Sequence, residues 1–408
     1  MRDFKVLAAR GGRIALARDL RCKPAMQSLA TDLSMTTSAP AAARPAARPT
    51  LWARVLAGFL SLVLALALAE LIATCAMGGA YPTLNLYERD AVYGVHLTPE
   101  ASTRVVSPNG VMTDITTNAL GFRGGEWPSQ ASAMVPGRVL VVGDSQVMGW
   151  GVPEASAFTA QLQGFEVLAA GVPTWGPLEY VHAVGELVPR YRPERVVFVL
   201  NAANDWMEAP LPNLRRTTAR DGWARVPMGP GAGGESFTDF PLRRFLLGRS
   251  HLVLALRLML DPPPHGLPPA IAMQFVSELP LYLRPDAPYQ SRLTRSIEKA
   301  RAVCQRFGCE VVPVLLPMDI QVDPGEWAKY RVAAQDTRPS LALASALQAD
   351  VPDLVDLRPT LTAASPGAFL SDDYHLSAAG HAAVATALRE RLALRTDTRL
   401  EPARGPAK

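Results

Sequence analysis

Four stretches of the sequence hold residue types suited to acyl-transfer chemistry. The run Arg138-Val-Leu-Val-Val142 ends in Gly143-Asp144-Ser145. A serine hydroxyl becomes a nucleophile when a base takes its proton and an acid orients that base. Of the six histidines, at 96, 182, 251, 265, 375 and 381, His375 has an aspartate three residues before it, in Ser371-Asp372-Asp373-Tyr374-His375. His182 has Glu179 at the same spacing, but inside an expected helix, where such pairs are ordinary surface features. His381 is expected in or on the last helix. The spacing therefore predicts Ser145 as nucleophile, His375 as base and Asp372 as the orienting acid.

The oxyanion formed by nucleophilic attack needs hydrogen-bond donors. Asn204, in Val197-Phe-Val-Leu-Asn-Ala-Ala-Asn204-Asp205, can turn a side-chain amide inward. Gly171, in Val167-Leu-Ala-Ala-Gly171, can offer its backbone N–H, and Ser145 at a helix start can offer its own. Taken singly, each residue has a plain structural explanation as a cap, a turn former or a surface side chain. Taken together and in this order, they point to a serine acyl-transfer site that requires no metal and no cofactor. Gly229-Pro-Gly231-Ala-Gly-Gly234 fits a dinucleotide fingerprint, but no strand precedes it. There is no His-Glu-x-x-His, and the four cysteines lack a zinc-binding C-x-x-C spacing.

The elements that must position these residues alternate between short apolar runs and helical patterns, as in a parallel sheet with helical crossovers. Strands are expected at Arg138–Val142, Glu166–Ala170, Arg195–Asn201, Glu310–Leu316 and Asp353–Asp356. Their near-continuous apolar character suits strands covered on both faces. Helices are expected at Pro177–Leu187, Gln290–Phe307 and Ala378–Leu394. Residues 81–135 form a hairpin-rich lead-in, 136–394 the main domain, and 395–408 a polar tail. Residues 206–289 interrupt the rhythm as an insertion. Within it, Arg243–Leu260 reads as an amphipathic helix packed on the domain or lying over the site as a lid. Arg249 and Arg257 argue against a second membrane span there. Cys304 and Cys309, five apart across a helix end, form either a disulfide or two buried thiols.

Composition sets the surroundings. With 49% hydrophobic and 19% charged residues in 408, the chain is not a disordered one. The net charge is +4, yet residues 1–54 hold ten Lys/Arg against three Asp, a net +7, which leaves 4 − 7 = −3 for the remainder. The basic excess thus lies in a tail rather than on a folded face, and nucleic acid is not an expected partner. From Val55 to Met77 runs an apolar segment whose one charge is Glu70. As a helix it would reach about 35 Å, enough for a bilayer core of about 30 Å. Arg44, Arg48 and Arg54 on its amino side place residues 1–54 in the cytoplasm and the rest outside. Its length favours an uncleaved anchor, although Ile72-Ala-Thr-Cys75 is similar to a lipoprotein cleavage site. Residues 1–54 are expected to be unstructured, with Met26 and Met35 as alternative starts.

Ser145, Gly171, Asn204 and His375 fall in the order of the four blocks of the SGNH (GDSL-type) hydrolases, which the chain resembles over about residues 85–394. Thr117-Asn118-Ala-Leu-Gly121-Phe122-Arg123-Gly and Gly143-Asp-Ser-Gln-Val-Met-Gly149-Trp-Gly151 are similar to a bacterial, membrane-anchored branch. Three departures stand out: Ala203 before Asn204, Gln146-Val147-Met148 after the serine, and Asp-Tyr-His-Leu in the last block. The resemblance implies a three-layer α/β/α, flavodoxin-like fold and acyl-ester chemistry on an acylated glycan of the cell envelope or an exported polysaccharide. The expected protein is a single-pass inner-membrane esterase with its catalytic domain in the periplasm. The alternatives are an O-acyltransferase using the same residues, or an inactive glycan-binding scaffold.

Overall fold

The computed structural model of the chain describes residues 50–79, 86–106, 112–220, 223–225, 241–260, 287–330, 336–371 and 373–397. Of the tails expected at 1–54 and 395–408, residues 1–49 and 398–408 lie outside the described residues, as does the glycine-rich run at 229–234, whereas 51–54 open α1 and 395–397 end the last helix. Two compact units divide between Leu60 and Ser61. Of the first, the described part is Thr50 and the opening turns of α1 (Leu51–Ala76). That helix has 26 residues and no buried one, and is long and apolar enough to cross a membrane.

The second unit is organised around a five-stranded parallel sheet of β5 (Val135–Gly143), β6 (Glu166–Gly171), β7 (Pro193–Asn201), β10 (Glu310–Leu316) and β11 (Val355–Asp356). Their order is β11-β10-β7-β5-β6. Period-two alternation sends side chains to both faces. On one face Leu140, Val142, Val196, Phe198 and Leu200 pack with Tyr180, Val184 and Leu187 of α3 (Pro177–Tyr191) and with Leu293, Ile297 and Ala300 of the helix Ala287–Phe307. On the other, Val139, Val141, Val197, Val199, Val312 and Val314 pack with Val384, Leu388 and Leu392 of the last helix, Ala378–Asp397. Helices on both sides of a parallel sheet give the expected three-layer α/β/α arrangement, and explain why the strand sequences are apolar throughout rather than alternating.

Two antiparallel hairpins precede the sheet: β1 (Tyr87–Asp90) with β2 (Gly94–Leu97), and β3 (Ser102–Val106) with β4 (Met112–Thr116). They are tied in by aromatic side chains. Trp175 Nε1 donates to Val95 O at 2.8 Å, and its ring stacks on Tyr93 at 4.3 Å. Within 206–289 lie the one-turn helix α5 (Asn213–Arg216), a third hairpin of β8 (Thr218–Arg220) with β9 (Trp223–Arg225), and the helices α6 (Pro241–Leu247) and α7 (His251–Leu260). The single helix expected over Arg243–Leu260 is therefore two. The break falls at Gly248-Arg249-Ser250, where Ser250 Oγ accepts from Val253 N–H at 3.1 Å and so caps a new helix. Cys304 and Cys309 are joined as a disulfide where the helix ending at Phe307 turns into β10, with Gly308 (φ +80°) making the turn.

His381 is buried in the last helix, and its Nδ1 accepts the Phe158 N–H at 3.2 Å, which only an unprotonated nitrogen can do. Burial pulls its pKa down from 6.5 to about 3. The unfolded chain thus binds a proton that the folded one refuses between those values, so stability is full above about pH 6.5 and declines as the pH falls toward 3. Urea-unfolding midpoints at pH 7 and pH 4.5 are expected to differ less in a His381→Gln variant than in the wild type. An equal difference in both would remove His381 as a source of acid sensitivity.

Candidate active site

Strand β5 delivers its last residue, Gly143, to the carboxyl edge of the sheet. There the chain turns through Asp144 into a one-turn helix, α2 (Ser145–Met148). Open α/β sheets hold their ligands at this edge. Asp144 caps the helix by accepting the Gln146 N–H at 2.9 Å, and its other oxygen accepts from Asn201 Nδ2 at 2.7 Å. Burial raises the Asp144 pKa, against the lowering effect of that Asn201 bond. Gly171 ends the neighbouring strand β6, and a Cβ on it would collide with the backbone of Val147 and Met148. Only glycine lets α2 sit this close to the sheet.

From α2, Ser145 Oγ lies 2.8 Å from His375 Nε2, and His375 Nδ1 lies 2.8 Å from Asp373 Oδ1. All three residues are buried. The carboxylate at the ring is therefore that of Asp373, where the D-x-x-H spacing predicts Asp372; Asp372 itself lies outside the described residues. The local reason is a tight turn. The same Asp373 oxygen also accepts the His375 N–H at 3.3 Å, so a two-residue spacing satisfies backbone and ring together. Burial works against the Asp373 charge, but the adjacent His375 ring holds its pKa below the usual carboxylate range.

Asn204 follows β7 as the residue before a short helix, α4 (Asp205–Glu208). Its Nδ2 donates to Glu208 Oε2 at 2.9 Å, which engages one of the two amide protons. Beneath it, Asp205 accepts from Tyr180 Oη at 2.9 Å and from Asn201 N at 2.7 Å. Burial and then the nearby Asp144 charge raise the Asp205 pKa well above the usual value. Glu208 is pushed up to about 8, chiefly by burial, against the pull of Arg216. The ends of β5 and β6 and the loop before the last helix thus bring Ser145, Gly171 and His375 together, with Asn204 beside Asp144 at the end of β7.

Residues the spacing arguments passed over hold this point in place. The Gln146 side chain crosses to the histidine loop, where its Oε1 accepts from Leu376 N at 3.1 Å and its Nε2 donates to Tyr374 O at 3.4 Å. Lys329 Nζ donates to Leu370 O and Asp373 O, both at 2.9 Å, and pairs with Asp319 at 2.9 Å. Arg123 is buried. Its guanidinium donates to Gly149 O at 2.5 Å, to Val152 O at 2.9 Å and to Met148 O at 3.3 Å, all at or just past the end of α2. Of these, Arg123 had a signal in the sequence, since it belongs to the Asn118–Gly124 motif. Lys329 had none.

Residues 275–405 match the family model described as "SGNH hydrolase-like domain, acetyltransferase AlgX". That stretch includes β10, Asp373 and His375, and excludes Ser145, Gly171 and Asn204. A comparison with curated proteins finds no match. Among solved structures, TesA is 16% identical, with 62% of this chain and 97% of that one covered and a TM-score of 0.33. AlinE4, a SGNH-hydrolase family esterase, is 15% identical, with 67% of this chain and 100% of that one covered and a TM-score of 0.29. At these values neither bears on substrate or mechanism.

Proposed function

We propose, from the premise that this chain is of the SGNH type, that it is an extracytoplasmic serine esterase cleaving O-acyl, chiefly O-acetyl, esters on a glycan of the cell envelope. The observation that carries this reading is the unbroken hydrogen-bond sequence from Asp373 through His375 to Ser145 Oγ at the carboxyl edge of the sheet. Ser145 Oγ attacks the ester carbonyl carbon as its proton passes to His375 Nε2. Asp373 fixes the tautomer with Nδ1–H toward itself and stabilises the imidazolium. The oxyanion is held by the Ser145 N–H, which as the first of α2 has no intrahelical partner, by the Gly171 N–H and by the Asn204 side-chain amide. His375 then protonates the departing sugar oxygen. Water, deprotonated by His375, releases the acid and restores Ser145.

A second reading is O-acyl transfer, favoured by the match of residues 275–405 to a family described as acetyltransferase. Every residue keeps its role, and a sugar hydroxyl replaces water. Incubating the full chain with an activated acetyl ester, with and without an oligosaccharide acceptor, separates the two. Free acetate alone supports hydrolysis, whereas acetylated oligosaccharide supports transfer. Neither product, from a folded protein, would sink both readings in favour of a glycan-binding scaffold. The apolar α1 and the basic residues before it support a single-pass anchor with the catalytic unit outside the cytoplasm.

Asn204→Ala is expected to lower turnover of the acetyl ester by about 10²–10³, the usual loss for one oxyanion donor. Its thermal midpoint should stay near the wild type, because Asn204 is only partly buried. Turnover within a few-fold of wild type would take Asn204 out of the site.

A further inference from the structure

Past Arg54, α1 carries one charged side chain, Glu70. Three donors meet its carboxylate: Ser250 Oγ at 2.6 Å, His251 N–H at 2.6 Å and Leu252 N–H at 3.1 Å. One turn further along, the Thr74 hydroxyl donates to Glu70 O at 2.8 Å and lies 3.1 Å from His251 Nδ1. The amino end of α7 is thereby fastened to a point six residues before the end of α1. That is about 9 Å from it at about 1.5 Å per residue. A helix of 26 residues reaches about 39 Å, so Glu70 falls inside the outer edge of a core about 30 Å thick. An acid at that depth needs internal partners, and an N-terminal turn with an added hydroxyl supplies them.

Among the described side chains of α6 and α7, every exposed one is apolar. Met259 is 80% exposed, Leu260 86% and Leu242 68%, and Phe245, Leu246 and Leu256 are exposed as well. The Arg249 guanidinium lies over the Phe245 ring at 4.3 Å, which sets its charge against an aromatic face where α6 gives way to α7. With seven and ten residues, neither helix can span a bilayer. Short helices with one apolar face lie in the interface plane instead. The covering material is fixed by position, since the same level of α1 exposes Leu68, Leu71 and Ile72.

We propose that α6 and α7 form a second membrane-embedded element, bedded among the acyl chains of the outer leaflet and clasped to the anchor through Glu70. The anchor then holds the catalytic unit at two points rather than on a single tether. This inference rests on the anchor reading above, and the test keeps the two apart.

The full chain, with Cys22 and Cys75 replaced by serine, is reconstituted in vesicles of phosphatidylethanolamine and phosphatidylglycerol. An environment-sensitive fluorophore is attached to Met259→Cys, to Leu64→Cys in the anchor, or to Glu390→Cys on the exposed side of the last helix. Lipids brominated near the headgroup or deep in the chains serve as quenchers. The expected result is quenching at 259 by the shallow bromines, at 64 by the deep ones, and none at 390. Quenching at 64 with 259 behaving like 390 would overturn the proposal and leave the anchor standing. No quenching at 64 would overturn both. Adding Glu70→Leu is expected to lower the quenching at 259 while that at 64 persists; unchanged quenching at 259 would overturn the clasp.

Discussion

Replacing Ser145 by alanine in the full-length protein should abolish labelling by a fluorophosphonate probe and lower ester turnover by about 10⁴–10⁶, as removal of a serine nucleophile does elsewhere. The probe reacts only with a serine whose proton has a waiting acceptor, so His375→Ala should lose labelling as completely. The 2.8 Å contact between the two side chains makes their effects one effect: the double variant should be no worse than either single one. Both changes remove groups at the edge of the sheet rather than from its apolar layers, so the thermal transition should persist. Full labelling of a folded Ser145→Ala protein would mean that the reactive serine is another. Losses that multiply in the double variant would mean that the two residues act separately.

Asp373→Asn should cost about 10⁴ in turnover while the protein remains folded, because an amide at Nδ1 favours the wrong imidazole tautomer. Asp372→Asn should cost little. The pair of variants decides between two adjacent carboxylates that the sequence presents as near equals. If Asp372→Asn is the crippled one, the turn that places Asp373 against His375 is not the turn of the working enzyme. Against the cost of burial, the adjacent His375 ring holds the Asp373 pKa below its usual range, so protonation of Asp373 should not be what first ends activity as the pH falls through the ordinary carboxylate range.

The parallel sheet is legible in the sequence because strands buried on both faces leave unbroken apolar runs, as in Val196–Leu200. Ser145, Gly171 and Asn204 are legible because each ends or follows such a run and topology brings strand ends together, and His375 because it alone among the histidines has an aspartate three residues before it, in the loop ahead of the last helix. The orienting acid is less so. In Asp372-Asp373-Tyr374-His375 a spacing rule cannot tell which carboxylate faces the ring, since the backbone angles of one turn decide it. Lys329 is invisible for a different reason, because its two carbonyl partners at Leu370 and Asp373 lie 41 and 44 residues away. The long apolar run Arg243–Leu260 hides its own interruption. Gly248 and Ser250 break it only because Ser250 can cap the second helix, α7.

Arg123 has a bearing on how this protein can be divided, in the laboratory or by descent. Its guanidinium reaches from the segment before the sheet to the carbonyls at and just past the end of α2, and Trp175 reaches the other way to Val95. A gene shortened to begin at the first parallel strand would leave those carbonyls without their donor, beside the serine itself. The segment before the sheet and the sheet itself thus act as one piece, and a copy that kept one without the other would carry Ser145 on an unfastened helix.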